Sequence, residues 1–241
     1  MDSLSIAAAS GLRSRIQSLD LLANNLANTG TAGFKRDTEY YGVFSSEEAS
    51  DGEAVPMVQK QWTDFSQGTL QVTGNPMDIA LYGSGFFVVK GPNGPLYTRN
   101  GNLESQANGT LITSDGYPLV DSEGKPIKLA PNSAFTIATD GTITQDNATV
   151  AKIQVVQFAN QQALNKVGAA CFQNNDVKNV PKPAPDAQVQ QGKLEGSNVP
   201  VADAAMHLVG VMRQFEMLQK AVSISGEMDT KTIQEVARVG A

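Results

Sequence analysis

Cysteine, histidine and tryptophan each occur once in this chain of 241 residues. The lone Cys171 excludes an intramolecular disulfide and a multi-cysteine zinc site. With His207 the only histidine, a Cys–His dyad would need the fold to join two distant segments. No nucleophile-type local motif surrounds Cys171. The expected roles are plain: a half-buried small residue for Cys171, a helix-flanking position for His207. No apolar run approaches the roughly 20 residues that span a bilayer, so no membrane insertion is expected. Lys/Arg clusters are missing too. The formal net charge of −6 argues against a nucleic-acid partner held by phosphate contacts. Gly83-Ser84-Gly85 lacks the third glycine of a dinucleotide loop and precedes a strand-like run rather than a helix. No catalytic, cofactor-binding or metal site is expected, and no cofactor. Met1-Asp2-Ser3-Leu4-Ser5-Ile6 has neither the basic n-region nor the apolar h-region of a cleaved secretory signal. Alone, that reads as cytoplasmic, although a route needing no cleaved signal leaves the same trace.

What the chain does have is concentrated at its two ends. Leu12, Leu19 and Leu26 recur every seven residues, with Leu22 at a d position and Ile16 and Ala23 widening the stripe. Val201, Leu208, Phe215, Val222 and Val236 repeat the pattern near the other end, with Ala204, Val211 and Leu218 at d positions. A seven-residue apolar repeat makes a narrow seam, which another helix buries better than a globular core does. The spacing predicts one helix from about Ser3 to Asn28, stopped by Gly30 and Gly33, and a second from about Pro200 to Ala237. Asn198 or Ser197 is expected to cap the second, whose seam should weaken after Ser225. Gly11 costs about 1 kcal/mol in a helix interior and permits close helix approach.

Between the ends the pattern is β-like. Glu47-Glu48-Ala49-Ser50-Asp51-Gly52-Glu53 reads as a solvated loop. Trp62 and Phe65 are expected to anchor an extended arm. From about Thr69 to Phe158, turn signals at Asn93-Gly94, Asn100-Gly101, Asn108-Gly109, Asp115-Gly116, Glu123-Gly124 and Asp140-Gly141 separate short β-type runs. Those runs are 78–81, 86–89, 95–98, 110–113, 134–137 and 152–156. The Pro-rich 179–185 stretch can be neither helix nor central strand. The expected fold class is α+β, with N- and C-terminal helices forming a coiled-coil-like arm and a central antiparallel β-rich lobe. Its expected segments are 1–35 (helix and following turn), 36–68 (extended arm or loop), 69–178 (lobe), 179–196 (connector) and 197–241 (second helix).

Ala23-Asn24-Asn25-Leu26-Ala27-Asn28, followed by Thr31, Gly33, Phe34 and Lys35, is a helix end crowded with amide side chains, then a glycine turn and an aromatic plug. Amides can satisfy last-turn carbonyls, yet three Asn within five residues is more than a cap requires. This string resembles the N-terminal signature of the bacterial flagellar rod and hook protein family. Leu194-Glu195-Gly196-Ser197-Asn198-Val199, Arg213-Gln214-Phe215-Glu216 and Lys220-Ala221-Val222-Ser223 resemble that family's C-terminal signature. Gln67-Gly68-Thr69-Leu70, 73–78, 83–87 and Tyr97-Thr98-Arg99-Asn100-Gly101 resemble its central segment. The motifs run in the family's order over nearly the whole chain. Within the family, Leu-Glu-Gly-Ser-Asn-Val and Phe215, where the distal rod subunit usually has tyrosine, look most like the proximal rod subunit.

The resemblance implies a structural, non-enzymatic subunit of the flagellar basal body. It implies export through the flagellar type III apparatus without a cleaved signal peptide, and assembly in the periplasmic span. The implied partners are other flagellar rod proteins and further copies of the chain, in a helical assembly. The implied assembly interface comprises Leu12, Leu19, Leu22, Asn24, Asn25, Leu26, Asn28 and Phe34, with Leu208, Val211, Arg213, Phe215, Glu216, Leu218, Lys220 and Val222. Arg213, Glu216 and Lys220 also fit a solvated intrahelical ladder. Two rival readings are a distal rod or other rod/hook-family subunit, and a secreted carbohydrate-binding or hydrolytic protein. The latter would need paired carboxylates, for which Asp115 and Asp121 are the nearest candidates.

Overall fold

Two α-helices, one 3-10 turn (Gln161–Ala163) and seventeen strands are the regular elements of the described residues, and the fold class is α+β. The computed structural model describes residues 3–45, 54–131 and 133–239. The helices are α1 (Ser3–Ala27) and α2 (Val201–Val239). The strands are β1 (Asp37–Ser45), β2 (Ala54–Thr63), β3 (Leu70–Val72), β4 (Ile79–Tyr82), β5 (Phe86–Gly91), β6 (Gly94–Thr98), β7 (Leu103–Ser105), β8 (Leu111–Thr113) and β9 (Phe135–Ile137). They continue with β10 (Thr142–Gln145), β11 (Ala148–Lys152), β12 (Val155–Gln157), β13 (Leu164–Val167), β14 (Cys171–Asn174), β15 (Lys182–Pro183), β16 (Gln188–Gln191) and β17 (Lys193–Glu195). The strand pairings whose register is resolved are antiparallel. The elements divide into two compact units: α1, the β1–β2 sheet and α2 in one, residues 28–36 and 63–199 in the other.

In the helical unit, the buried residues of α1 among the described side chains are Gly11, Ser14, Ser18 and Asn25. This line lies one position before the leucine register; Leu12, Leu19, Leu22 and Leu26 are half-buried. Small residues line it because α2 comes close: a Cβ on Gly11 would lie 3.5 Å from Leu218 Cδ1. Ser18 Oγ donates to the Ser14 carbonyl at 3.0 Å, satisfying its hydroxyl within the helix. In α2, Ala204 and Val211 are buried and Leu208, Phe215 and Leu218 half-buried, while Val201 and Val222 are exposed. The low-exposure line therefore ends before Val222, earlier than the expected fading after Ser225. Pro200 stands at the start of α2, its carbonyl accepting from Ala204 N at 2.9 Å. Neither Asn198 nor Ser197 caps the helix. Asn198 is spent on other partners, and Ser197 Oγ accepts from Val199 N.

The second unit is a β-lobe around a six-stranded sheet of order β13-β14-β6-β5-β12-β15. Strand β5 is central and buried on both faces. Alternation sends Phe86 and Val88 into an aromatic cluster with Tyr97, Phe158 and Phe172, and Phe87 and Val89 into an aliphatic cluster with Leu81, Leu111, Ile143 and Val189. Phe65 packs on the first cluster, its ring 5.1 Å from Phe172 and 5.6 Å from Phe86, so it anchors its segment within the lobe. Cys171 is buried rather than half-buried; burial pushes its thiol up to about 12, with Asp115 nearby adding to the shift.

Several local expectations are corrected. The segment from 36 to 68 is not only an arm, since it contributes β1, β2 and their shared sheet. The acidic 47–53 stretch lies outside the described residues. The 152–156 run is two strands, broken at Ile153, which bridges Asp121. Asn100-Gly101 is no hairpin turn: both residues are buried, and a Cβ on Gly101 would lie 1.8 Å from the Ile79 carbonyl oxygen. The Pro-rich stretch enters the sheet as β15, but only at its edge, where Pro183 needs no amide donor. Its neighbours β16 and β17 pair with β4 and β3.

Candidate assembly site

The best-defined polar site in the lobe is a fully buried carboxylate. Glu195 closes β17, and its Oε1 accepts from Lys35 Nζ at 2.5 Å and from Gly68 N at 3.0 Å. Its Oε2 accepts from Arg99 Nη1 at 3.1 Å. The Lys35 and Glu195 side chains have no exposed surface, and Arg99 almost none. Backbone oxygens also accept from both cations: Lys35 Nζ reaches Ser66 O at 2.6 Å and Arg99 Nη2 reaches Gly83 O at 2.8 Å, while Arg99 Nε is buried with no partner among the described residues. The Arg99 guanidinium also stands 5.5 Å from the Phe86 ring centroid. Burial pushes the Lys35 ammonium and the Arg99 guanidinium below their usual ranges, and Glu195 pulls both back up. Two cations around one carboxylate leave a surplus positive charge inside, which makes Glu195 the group the trio cannot lose.

This trio draws together segments far apart in the chain. Gly33 has φ +69°, and a Cβ on it would lie 2.3 Å from Asn100 N; its own N–H donates to Glu195 O at 2.7 Å. Glycine is required there twice over, by backbone angle and by space. Gly30, offered alongside it as a helix stop, has no positive φ and open space at its Cβ. Phe34 beside it is fully buried, with Lys166 Nζ 4.2 Å from its ring centroid. Asn198 spans the same strap: its Oδ1 accepts from Arg36 N at 2.8 Å and its Nδ2 donates to Asp64 O at 2.7 Å. Arg36 and Asp64 add an ion pair at 2.9 Å.

The residues expected at the assembly interface fall in different places. Asn25 is buried in the helical unit, where its Nδ2 donates to Asp37 O at 2.7 Å and its Oδ1 accepts from Asp37 N at 2.9 Å. This tie joins the last turn of α1 to the start of β1. Asn28 and Phe34 belong to the lobe; Asn28 Oδ1 accepts from Thr31 Oγ1 at 3.0 Å. Asn24 is exposed. The leucines of α1 and Leu208, Val211, Phe215 and Leu218 of α2 lie at or beside the low-exposure lines of the helical unit. Arg213, Glu216, Lys220 and Val222 are exposed, and among the described residues no ion pair within 4.0 Å joins the three charged ones. Asp121, a candidate for hydrolytic chemistry, holds its own turn, accepting from Glu123 N and Lys125 N at 2.9 Å each.

Lys35, Arg99 and Glu195 were not among the residues expected to carry a role. The available signal was their position: each is a charged residue inside one of the three quoted motifs.

The same segments carry the similarity to known proteins. The profile described as flagellar hook protein FlgE/F/G D1 domain matches residues 80–145, within the lobe. The profile described as flagellar basal body rod FlgEFG protein C-terminal matches residues 190–235, from β16 into α2. The flagellar basal-body rod protein FlgF of Caulobacter vibrioides is 30% identical over 227 residues, covering 92% of each chain. FlgG of Bacillus subtilis is 29% identical over 249 residues, covering 91% of this chain and 93% of its own. FlgF of Mesorhizobium japonicum is 29% identical over 224 residues, covering 89% and 91%. With its lobe, its C-terminal region and nine-tenths of its length matched in this way, the chain belongs to the flagellar basal-body rod proteins, a family of structural subunits rather than enzymes.

Proposed function

We propose that this chain is a subunit of the proximal part of the rod, polymerising through its terminal helices as part of the motor drive shaft. In this reading α1 and α2 form a coiled-coil-like arm that meets other rod proteins and further copies of the chain. The subunit travels through the flagellar type III export apparatus without a cleaved signal peptide and assembles in the periplasmic span. The observation that carries the reading is the state of the α1 leucines. Leu12, Leu19 and Leu26 recur at heptad spacing, yet remain half-buried when α2 is in contact. A seam left partly open by its own partner helix is completed by a neighbour. The proximal position rests on the Leu194–Val199 string and on Phe215.

The test is a cryo-EM map of basal bodies from cells carrying a tagged copy of the chain. Density for the tag in the proximal rod, with helices packed inward, is the expected result. Density only in the distal rod overturns the proximal reading. Binding of the purified chain to neighbouring rod proteins should weaken with salt without vanishing, because apolar seams dominate over screened charge pairs.

A further inference from the structure

Three Asn-Gly pairs stand in the lobe: Asn93-Gly94, Asn100-Gly101 and Asn108-Gly109. The dipeptide is reactive as well as turn-forming. The backbone nitrogen after an asparagine can attack its side-chain carbonyl carbon, and glycine, lacking a Cβ, blocks that approach least. What becomes of each pair depends on what holds it. Asn100 is buried and held at both side-chain atoms: its Oδ1 accepts from Asn102 N at 3.0 Å and its Nδ2 donates to Ser114 Oγ at 2.9 Å. Gly101 is wedged against the Ile79 carbonyl. Asn108 is exposed, but its Oδ1 accepts from Thr110 N at 2.9 Å. The Gly109 nitrogen, the atom that would attack, donates to Gln106 O at 2.8 Å, and Gly109 O accepts from Leu129 N at 2.8 Å. Gly109 is buried, and a Cβ there would lie 2.1 Å from Leu129 O, so this backbone has no room to turn.

Asn93 has none of these restraints. It is exposed at the tip of the β5–β6 hairpin, and no hydrogen bond holds its side chain among the described residues. Pro92 and Asn93 are the two turn residues, and Gly91 and Gly94 form the last pair of the ladder. The frayed end of a ladder opens at the least cost. Gly94 has φ +135°, and a Cβ on it would meet nothing within 4 Å. An unbound amide, an attacking nitrogen at a ladder end and open space therefore coincide at this pair alone of the three.

We propose that Asn93 is a site of spontaneous modification, at which the folded lobe converts asparagine to aspartate and isoaspartate through a cyclic imide. The Gly94 nitrogen bonds to Asn93 Cγ and gives its proton to solvent. The Cγ–Nδ2 bond breaks, and Nδ2 leaves as ammonia. Water then opens the imide at either carbonyl. Cleavage at Cγ leaves aspartate in a normal backbone, and cleavage at the main-chain carbonyl leaves isoaspartate, with an extra carbon in the backbone. Nothing is oxidised or reduced; each route takes up a water and releases an ammonia. Either product adds a negative charge to the hairpin tip, and isoaspartate also lengthens a two-residue turn. The disturbance stops short of the core, because beyond Lys90 and Pro95 the ladder continues with the buried Val89–Leu96 and Val88–Tyr97 pairs. The site is independent of the rod-subunit reading.

Peptide mapping of the purified full-length chain tests it. The chain is held in mildly alkaline buffer, digested in acid to suppress further reaction, and read by mass spectrometry with the two isomers separated. Asn93 should convert at least tenfold faster than Asn100 or Asn108 and give both products. In denaturant the three rates should converge to within about threefold, since the fold alone sets them apart. Asn93→Gln should remove the product at this site and leave the exchange protection of Val89 and Leu96 unchanged, because the longer side chain closes its ring far more slowly. Conversion of Asn100 or Asn108 as fast as Asn93 in the folded chain overturns the proposal. So does an intact Asn93 in the folded chain after the denatured chain has reacted there. Aspartate formed without isoaspartate would mean direct hydrolysis and would overturn the cyclic step.

Discussion

The helical unit and the β-lobe bury chemically different things. The lobe encloses two clusters of large side chains, with Phe86, Phe172, Phe87, Leu81 and Ile143 fully covered, and a charged trio in which Lys35 and Arg99 each donate to Glu195 and to a backbone oxygen. The described part of the helical unit buries Gly11, Ser14, Ser18, Asn25, Ala204 and Val211, and leaves its leucines and Phe215 half-covered. At about 25 cal/mol per Å² of apolar surface, burying glycine and serine stabilises little, whereas each phenylalanine contributes kilocalories. The lobe thus holds the larger share of apolar burial, and the helices leave open the apolar surface that the proposed assembly would cover. Hydrogen exchange on the dilute monomer should separate the units, with slow amides in β5 and β6 and fast ones along α1 and α2. Strong protection along both helices in the monomer contradicts this division.

The largest effect is expected where the lobe depends on one charge. Glu195→Gln keeps shape and a hydrogen-bond acceptor but leaves the Lys35 ammonium and Arg99 guanidinium buried without a counter-charge. Breaking a buried pair in this way costs about 3–5 kcal/mol. Exchange protection of the β5 and β6 amides should fall accordingly, and the 28–36 strap, held by Gly33 N on Glu195 O and by Lys35, should open with it. Unchanged protection would show that the trio is ornamental.

The converse experiment sits in the other unit. Phe215→Asp puts a carboxylate on the low-exposure line of α2, a cost of roughly 2 kcal/mol or more, and removes a large side chain that neighbours would cover. Swimming should be lost while β5 and β6 keep their protection. Leu19→Asp should behave alike. Normal swimming in either variant sinks the assignment of these helices to assembly.

How far each unit was legible in the sequence follows from the same contrast. The helices announced themselves by periodicity, and their spans were read to within about two residues. Their true line of burial was not, because a seven-residue leucine repeat marks an apolar edge without saying which neighbour covers it. In the lobe, the Asp-Gly and Asn-Gly turns marked most hairpins, but Asn100-Gly101 misled: its glycine serves the close approach of Ile79 O. Strands β3, β7, β13 and β15 to β17 escaped because two to four residues carry no period, and β3, β15, β16 and β17 are held by partners distant in sequence. The trio of Lys35, Arg99 and Glu195 escaped for the same reason. Local sequence shows three charged residues in three separate motifs, and only the fold shows that they meet.

A smaller, pH-dependent effect should again fall on the lobe alone. Burial would raise the Asp64 carboxyl, but the Ser66 N–H and hydroxyl and the Arg36 guanidinium outweigh it and hold the group below its usual 3.8. Because the folded value is depressed, the unfolded chain binds more protons in that range. The Arg36–Asp64 clip therefore contributes fully above about pH 3.8 and is lost as pH falls through the folded value. Asp64→Asn should flatten this acid limb of lobe unfolding and leave the helical signal unaffected. An unchanged limb means that Asp64 titrates alike in both states.

The smallest expected effect is a gain. Gly11→Ala adds a Cβ 3.5 Å from Leu218 Cδ1, an ordinary van der Waals distance, and replaces a poor helix former by the best one. The helix should gain about 0.5–1 kcal/mol, visible as higher far-UV circular dichroism amplitude and slower exchange around the α1 midpoint. The identical change at Gly101 has no such room, since its Cβ would overlap the Ile79 carbonyl oxygen at 1.8 Å. It should destabilise the lobe by about 1–3 kcal/mol as the backbone shifts. One substitution with opposite signs in two units measures the difference in their packing directly. If Gly11→Ala also destabilises, α1 and α2 fit together as tightly as the lobe does, and the helical unit needs no neighbour to complete it.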